Sequence, residues 1–271
     1  MKLLRLSVAA LFVLTACVYF ITALSGLSRD KTYPVIKTDS DTINVSVSSD
    51  ESALLEGVSA FDEKDGDISD KVIVESVSRF SERGVAVVTY AVCDGDDHVS
   101  SAKRKVIYDD YTPPRFVLKA PLVFDRAESV NILSRIGASD VFDGDISGRV
   151  IITYADYNTQ ISGTYQVKAR VSNSFGDTIY TDLPVFIEDK GLSAPQITLR
   201  SYLLYVKVGD EVDIEGNLRS AEDNEEEDIT DSVTFETDYD KTSPGLYQAH
   251  YYAEDSRGRT GHTVLIIISE E

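Results

Sequence analysis

Ala60-Phe61-Asp62-Glu63-Lys64-Asp65-Gly66-Asp67-Ile68-Ser69 returns as Ala138-Ser139-Asp140-Val141-Phe142-Asp143-Gly144-Asp145-Ile146-Ser147. A degenerate third copy runs from Ala221 through Asp223 and Glu225-Glu226-Glu227-Asp228 to Ile229-Thr230. Other markers keep the same phase. A proline before an apolar strand start stands at Pro34, Pro114 and Pro195, with spacings of 80 and 81. A glycine follows each alanine of the motif by 24 or 25 residues (Gly84, Gly163, Gly245), and ten residues further on stand Asp94, Asn173 and Asp255. Self-similarity at a fixed long period marks tandem structural units. The predicted boundaries are 32–110, 111–190 and 191–271, after an N-terminal segment 1–31.

Within each unit the apolar period is two. Tyr165, Val167, Ala169 and Val171 alternate with polar neighbours, and Tyr247, Ala249, Tyr251 and Ala253 repeat that set. Such alternation buries one face of a strand and wets the other. Asn173-Ser174-Phe175-Gly176 and Asp255-Ser256-Arg257-Gly258 supply hairpin turns between long strands. The reading is all-β: three tandem β-sandwiches of about seven short strands each. Short junctions, Asp109-Asp110-Tyr111-Thr112-Pro113-Pro114 and Glu188 to Pro195, predict an elongated arrangement.

The pattern A-x-D-x-x-D-G-D-I-[ST], then G-x-Y before a strand, then D-S-x-G and a T-P-P linker, resembles the bacterial Ig-like repeats of Gram-positive surface proteins. The same repeat type is also found appended to an insecticidal crystal toxin. The resemblance covers about residues 33–269; repeat one departs from it with Ala86 in place of the tyrosine. It implies three tandem Ig-like β-sandwiches with a non-catalytic spacer or binding role, and brings no catalytic residues.

Charge is divided along the chain. The 271 residues carry a formal −20, yet residues 1–31 hold Lys2, Arg5, Arg29 and Lys31 against Asp30, a net of +3. The remainder therefore carries −23, which repels a phosphate backbone and excludes nucleic acid as a partner. Leu6 to Leu24 is almost wholly apolar, with Lys2 and Arg5 before it. It predicts one N-terminal transmembrane helix, a signal anchor with the N-terminus cytoplasmic and the repeats extracellular, so that the membrane is a partner. Two other readings compete: cleavage after Ser25, giving a secreted chain, and a lipoprotein. In the second, Leu14-Thr15-Ala16-Cys17 is a lipobox and Cys17 takes the lipid.

The carboxylate clusters are the candidate site. Asp62, Asp65, Asp67, Asp140, Asp143 and Asp145 offer hard oxygens of the kind calcium takes in sixes to eights, although the spacing is not that of an EF-hand. The competing reading is that they cap turns and accept backbone N–H groups, which requires no cofactor. His98, His250 and His262 show no ligand spacing, and Cys93 faces outward without a partner. Ser100-Ser101-Ala102-Lys103 matches S-x-x-K without its companion segments. Tyr202, Tyr205 and Tyr239 are the aromatic candidates for stacking on a sugar. The expected function is a non-enzymatic cell-surface spacer or adhesion module for an unknown protein or glycan. A structural accessory subunit of an envelope complex is the second class, and a glycoside hydrolase the third.

Overall fold

The structure is a computed structural model that describes residues 11–22, 31–126, 129–191 and 193–271. Residues 11–22 form a helix. Among the described residues no helix is long and apolar enough to cross a membrane. This finding overturns the expected single-pass anchor, with the membrane partner and the single-pass placement that rested on it. The rest of the apolar stretch, 6–10 and 23–24, lies outside the described residues, as does the cleavage point after Ser25. Cys17 is an exposed free cysteine on the helix.

The chain divides into two compact units, Met1–Asp110 and Tyr111–Glu271. In the first, strands β1 (Val35–Thr38), β3 (Val58–Asp62) and β4 (Gly66–Asp67) form one sheet. β2 (Thr42–Val45), β7 (Val99–Tyr108), β6 (Val85–Cys93) and β5 (Ile73–Val77) form the other, in that order. β2 runs parallel to β7 and every other pairing is antiparallel. The chain thus changes sheets between β1 and β2, the two short strands that open the unit.

The second unit repeats this plan twice. β8 (Arg115–Leu118), β10 (Ile136–Asp140) and β11 (Gly144–Asp145) face a sheet ordered β9 (Val123–Asp125), β14 (Thr178–Glu188), β13 (Gly163–Ser172) and β12 (Ile151–Ala155). Then β15 (Gln196–Leu199) and β17 (Leu218–Glu222) face β16 (Leu203–Lys207), β20 (Thr260–Glu270), β19 (Gly245–Glu254) and β18 (Thr234–Thr237). β9 again runs parallel to β14, and β16 to β20.

Alternation places the cores where the period of two requires. Ala86, Val88, Tyr90 and Val92 of β6 are buried, as are Val167, Ala169 and Val171 of β13 and Ala249, Tyr251 and Ala253 of β19. Each long strand contributes its inward set to one of three apolar clusters. Buried tyrosines must find a partner for the hydroxyl. Tyr90 donates to the Leu54 carbonyl at 2.6 Å, and Tyr251 to that of Ile214 at 2.7 Å.

Alternation fails in two strands, for one reason. In β14 the inward Leu183, Val185 and Ile187 are buried, but so are Pro184 and Phe186 of the opposite parity. In β20, Val264 and Ile266 are buried beside the inward Leu265 and Ile267. Leu203, Val264 and Ile266 join the cluster of the second sandwich although their strands belong to the third. The outward face of β20 is therefore covered by the neighbouring sandwich, and the apolar contact makes the two a single unit. Arg115 reinforces it, pairing with Glu270 at 2.9 Å and lying 4.6 Å over the Tyr205 ring. In β7, the counterpart in the first unit, Ser101, Lys103 and Lys105 of the outward parity are exposed.

Candidate functional site

The six candidate aspartates build two successive turns in each acidic loop. Asp62 closes β3, and its Oδ1 accepts the N–H groups of Lys64 and Asp65, both at 2.9 Å. Gly66 follows with φ +77°, a conformation that a side chain disfavours. Asp67 Oδ1 then accepts the Ser69 N–H at 3.0 Å and its hydroxyl at 2.6 Å. The loop of repeat two is the same: Asp140 Oδ1 accepts from Phe142 and Asp143, and Asp145 Oδ1 from Ser147. Repeat three keeps the second turn, with Asp228 accepting from the N–H and hydroxyl of Thr230. In its first turn Glu226 takes φ +62°.

Hydrogen bonding stabilises the ionised form of a carboxylate. The Ser69 hydroxyl and N–H hold Asp67 below the usual carboxylate range, those of Ser147 do the same for Asp145, and those of Thr230 for Asp228. The signal for this turn is legible as D-x-[ST] in all three copies.

The remaining carboxylate of each loop grips the hairpin that joins the two long strands. Asp65 Oδ2 accepts the Gly95 N–H, and Asp143 Oδ2 accepts the Ser174 N–H at 2.6 Å. In repeat three, Glu225 pairs with Arg257 instead. The hairpin has its own anchor in Asp94, Asn173 or Asp255, the phase markers of the repeat. Asp94 Oδ1 accepts from Asp96 and His98, and Asp255 Oδ1 from Arg257 and Arg259. One oxygen of each candidate aspartate thus accepts a backbone N–H, and among the described residues no three His, Cys, Asp or Glu side chains converge to hold a metal ion. This donor set builds turns.

One oxygen departs from the scheme. Asp140 Oδ2 accepts Asn173 Nδ2 at 3.0 Å, whereas Asp62 Oδ2 is buried without a partner. The repeat puts Asp94 where Asn173 would stand, and a carboxylate has no proton to offer. Asp94→Asn is expected to restore the amide donor and to raise the stability of the first unit by about 1 kcal/mol. A melting curve that is unchanged or lower would show that the Asp94–His98 contact, 2.8 Å, outweighs it.

Other sequence candidates are dispersed. Ser100 and Lys103 both lie on β7 with opposite parity, so they point to opposite faces. Tyr205 accepts the Phe116 N–H at 3.1 Å, and Tyr239 donates to the Asp210 carbonyl at 2.8 Å. Asp110 receives the Ser46 hydroxyl and the Val47 N–H within the first unit, while Asp189 pairs with Arg126. Cys93 is exposed.

The sequence reading passed over Tyr180. Its outward parity on β14 leaves the ring 70% exposed. It stands at a groove of about 480 Å³ along the seam of the second and third sandwiches, with Thr164, Gln166, Asp182, Gln248 and Ser269. Asp182 is held by Lys168 at 3.0 Å, and the buried Ser269 Oγ has no hydrogen-bond partner.

Comparison with known proteins places the chain only distantly. No family model matches it. It is 27% identical over 208 residues to the pesticidal crystal protein Cry22Aa of Bacillus thuringiensis, in a match covering 74% of this chain. The chain spans only 28% of that protein. The match agrees with the part of the sequence resemblance that concerns an insecticidal crystal toxin. Among solved structures, the M60 catalytic domain with CBM51-1 and CBM51-2 from Clostridium perfringens ZmpB aligns at TM-score 0.24 and 16% identity, over 87% of this chain and 30% of that one. Drosophila N-cadherin EC1-3 aligns at TM-score 0.32 and 14% identity, over 86% of this chain and 98% of that one.

Proposed function

We propose that the chain is a non-enzymatic binding module of three tandem β-sandwiches, 32–110, 111–190 and 191–271, and that it takes a glycan in the groove beside Tyr180. The groove carries this reading. An exposed aromatic face lies next to amides that both donate and accept, Gln166 and Gln248, and to the hydroxyl of Thr164. Neutral sugars are recognised by this combination of ring stacking and bidirectional hydrogen bonding. The groove's one carboxylate, Asp182, is neutralised by Lys168, so the set suits holding a ligand rather than activating one. The acidic loops serve as turns that fix the sandwiches, with no cofactor.

The test is binding of the full chain to an array of neutral oligosaccharides, followed by calorimetry on any hit. Tyr180→Ala is expected to weaken binding at least about tenfold, worth roughly 1.4 kcal/mol. Because the ring is exposed, the melting temperature is expected to stay constant. Full-strength binding by the variant removes the groove from the proposal, and an array without a hit removes the glycan.

A further inference from the structure

His250 and His262 are twelve residues apart, yet the β19–β20 register pairs Tyr252 with His262 and His250 with Val264. All four side chains therefore share the outward face that meets the second sandwich. His250 Nδ1 and His262 Nε2 are 3.0 Å apart, and His262 Nδ1 contacts Glu188 Oε1, at the end of β14 in that sandwich. The imidazoles lie edge to edge with their planes 11° apart and centroids 5.2 Å apart, Tyr252 stacks on His262 at 4.7 Å, and Phe186 of β14 meets both histidines edge-on at 5.5 and 5.8 Å.

The chain of bonds admits a definite number of protons. With both rings neutral, His262 donates from Nδ1 to Glu188 and accepts from His250 at Nε2. One added proton keeps every bond. The bridging proton passes from His250 Nδ1 to His262 Nε2, so His262 becomes an imidazolium bonded to the Glu188 carboxylate and donates back to His250 Nδ1, while the added proton sits on His250 Nε2. A second proton has no such place. It puts N–H against N–H across the 3.0 Å contact and sets two cations side by side at an apolar seam.

We propose that Glu188, His262 and His250 form a proton-counting latch between the second and third sandwiches, which holds with one proton and loosens with two. The groups that bear on it are named by their fields. Asp238 and Glu188 and, less, Glu236 favour a charge on His250, whereas burial and His262 oppose it and together hold its pKa below the ordinary imidazole value. His262 lines a cleft of about 390 Å³, through which solvent reaches the ring. A histidine whose folded pKa is depressed contributes stability that is complete above the unfolded value near 6.5. That stability is lost as pH falls from there through the folded pKa.

The full chain tests this in two ways. Between pH 7.5 and 5.0 the melting temperature of the Tyr111–Glu271 unit is expected to fall by about 5 °C, and His250→Gln is expected to remove most of that fall. An equal fall in the variant overturns the latch. Imidazole proton resonances of the wild-type chain give a second readout free of mutational damage, because the protein has three histidines. His250 is expected to titrate below the ordinary imidazole value, and lower still in Glu188→Ala, which removes a carboxylate that favours its charge. Titration of His250 at the ordinary value, with the unit still folded, overturns the proposal.

Discussion

Tyr251→Ala is expected to destabilise the Tyr111–Glu271 unit by about 4 kcal/mol, with a smaller cost for Tyr251→Phe of about 1 kcal/mol. The ring is fully buried in the cluster of the third sandwich, so its removal leaves a cavity in a close-packed interior. Truncation of a buried large aromatic costs about 3–5 kcal/mol. The hydroxyl adds a separate effect, because it donates to the Ile214 carbonyl at 2.7 Å, and phenylalanine leaves that acceptor unpaired. Thermal unfolding monitored by calorimetry should show the unit's transition about 10 °C lower in the alanine variant, with the transition of Met1–Asp110 unmoved. A shift of less than about 3 °C would mean that the site collapses around the missing ring. A matched fall in the first unit's transition would mean that the two units do not unfold independently.

The period of two was legible in β13 and β19 because their outward parity carries polar side chains, Gln166, Lys168 and Arg170 in one and Gln248 and His250 in the other, which leaves one apolar parity to detect. It was less informative for β14 and β20. Leu183-Pro184-Val185-Phe186-Ile187 and Val264-Leu265-Ile266-Ile267-Ile268 are unbroken apolar runs. An unbroken run reads as a strand buried on both faces, and that is the local signal for the seam between two sandwiches. The polar outward set of β7, with Lys103 and Lys105, carries no such signal. The apolar N-terminal stretch has a composition that suits a bilayer, but among the described residues no helix is long and apolar enough to cross one.

The acidic motif was legible as a recurrence, and less so as chemistry. Carboxylate spacing alone does not say whether oxygens point outward to an ion or back to the chain. The D-x-[ST] step at Asp67, Asp145 and Asp228 accounts for the inward pointing, since a hydroxyl two residues on draws the carboxylate into its own turn. The histidine pair was out of reach for another reason. Its register follows from the Asp255–Gly258 turn, but Glu188 and Phe186 come from another repeat, and only tertiary packing brings them to the imidazoles.

Ile266→Ala tests that packing most directly. The side chain lies on β20 of the third sandwich, is 2% exposed, and belongs to the apolar cluster of the second. Loss of a buried isoleucine to alanine costs about 2–5 kcal/mol. If the two sandwiches form one cooperative body, the cost is shared by strands that never touch residue 266. Amide hydrogen exchange reads this strand by strand, because globally protected amides report the free energy of the whole cooperative unit. Protection in β13 of the second sandwich is expected to fall by the same factor as in β19 of the third, about a hundredfold for 3 kcal/mol, while β6 is unchanged. Loss confined to β19 and β20 would show that the third sandwich opens alone. The covered face of β20 would then be a contact between two independent folding units, and the seam would add no cooperativity.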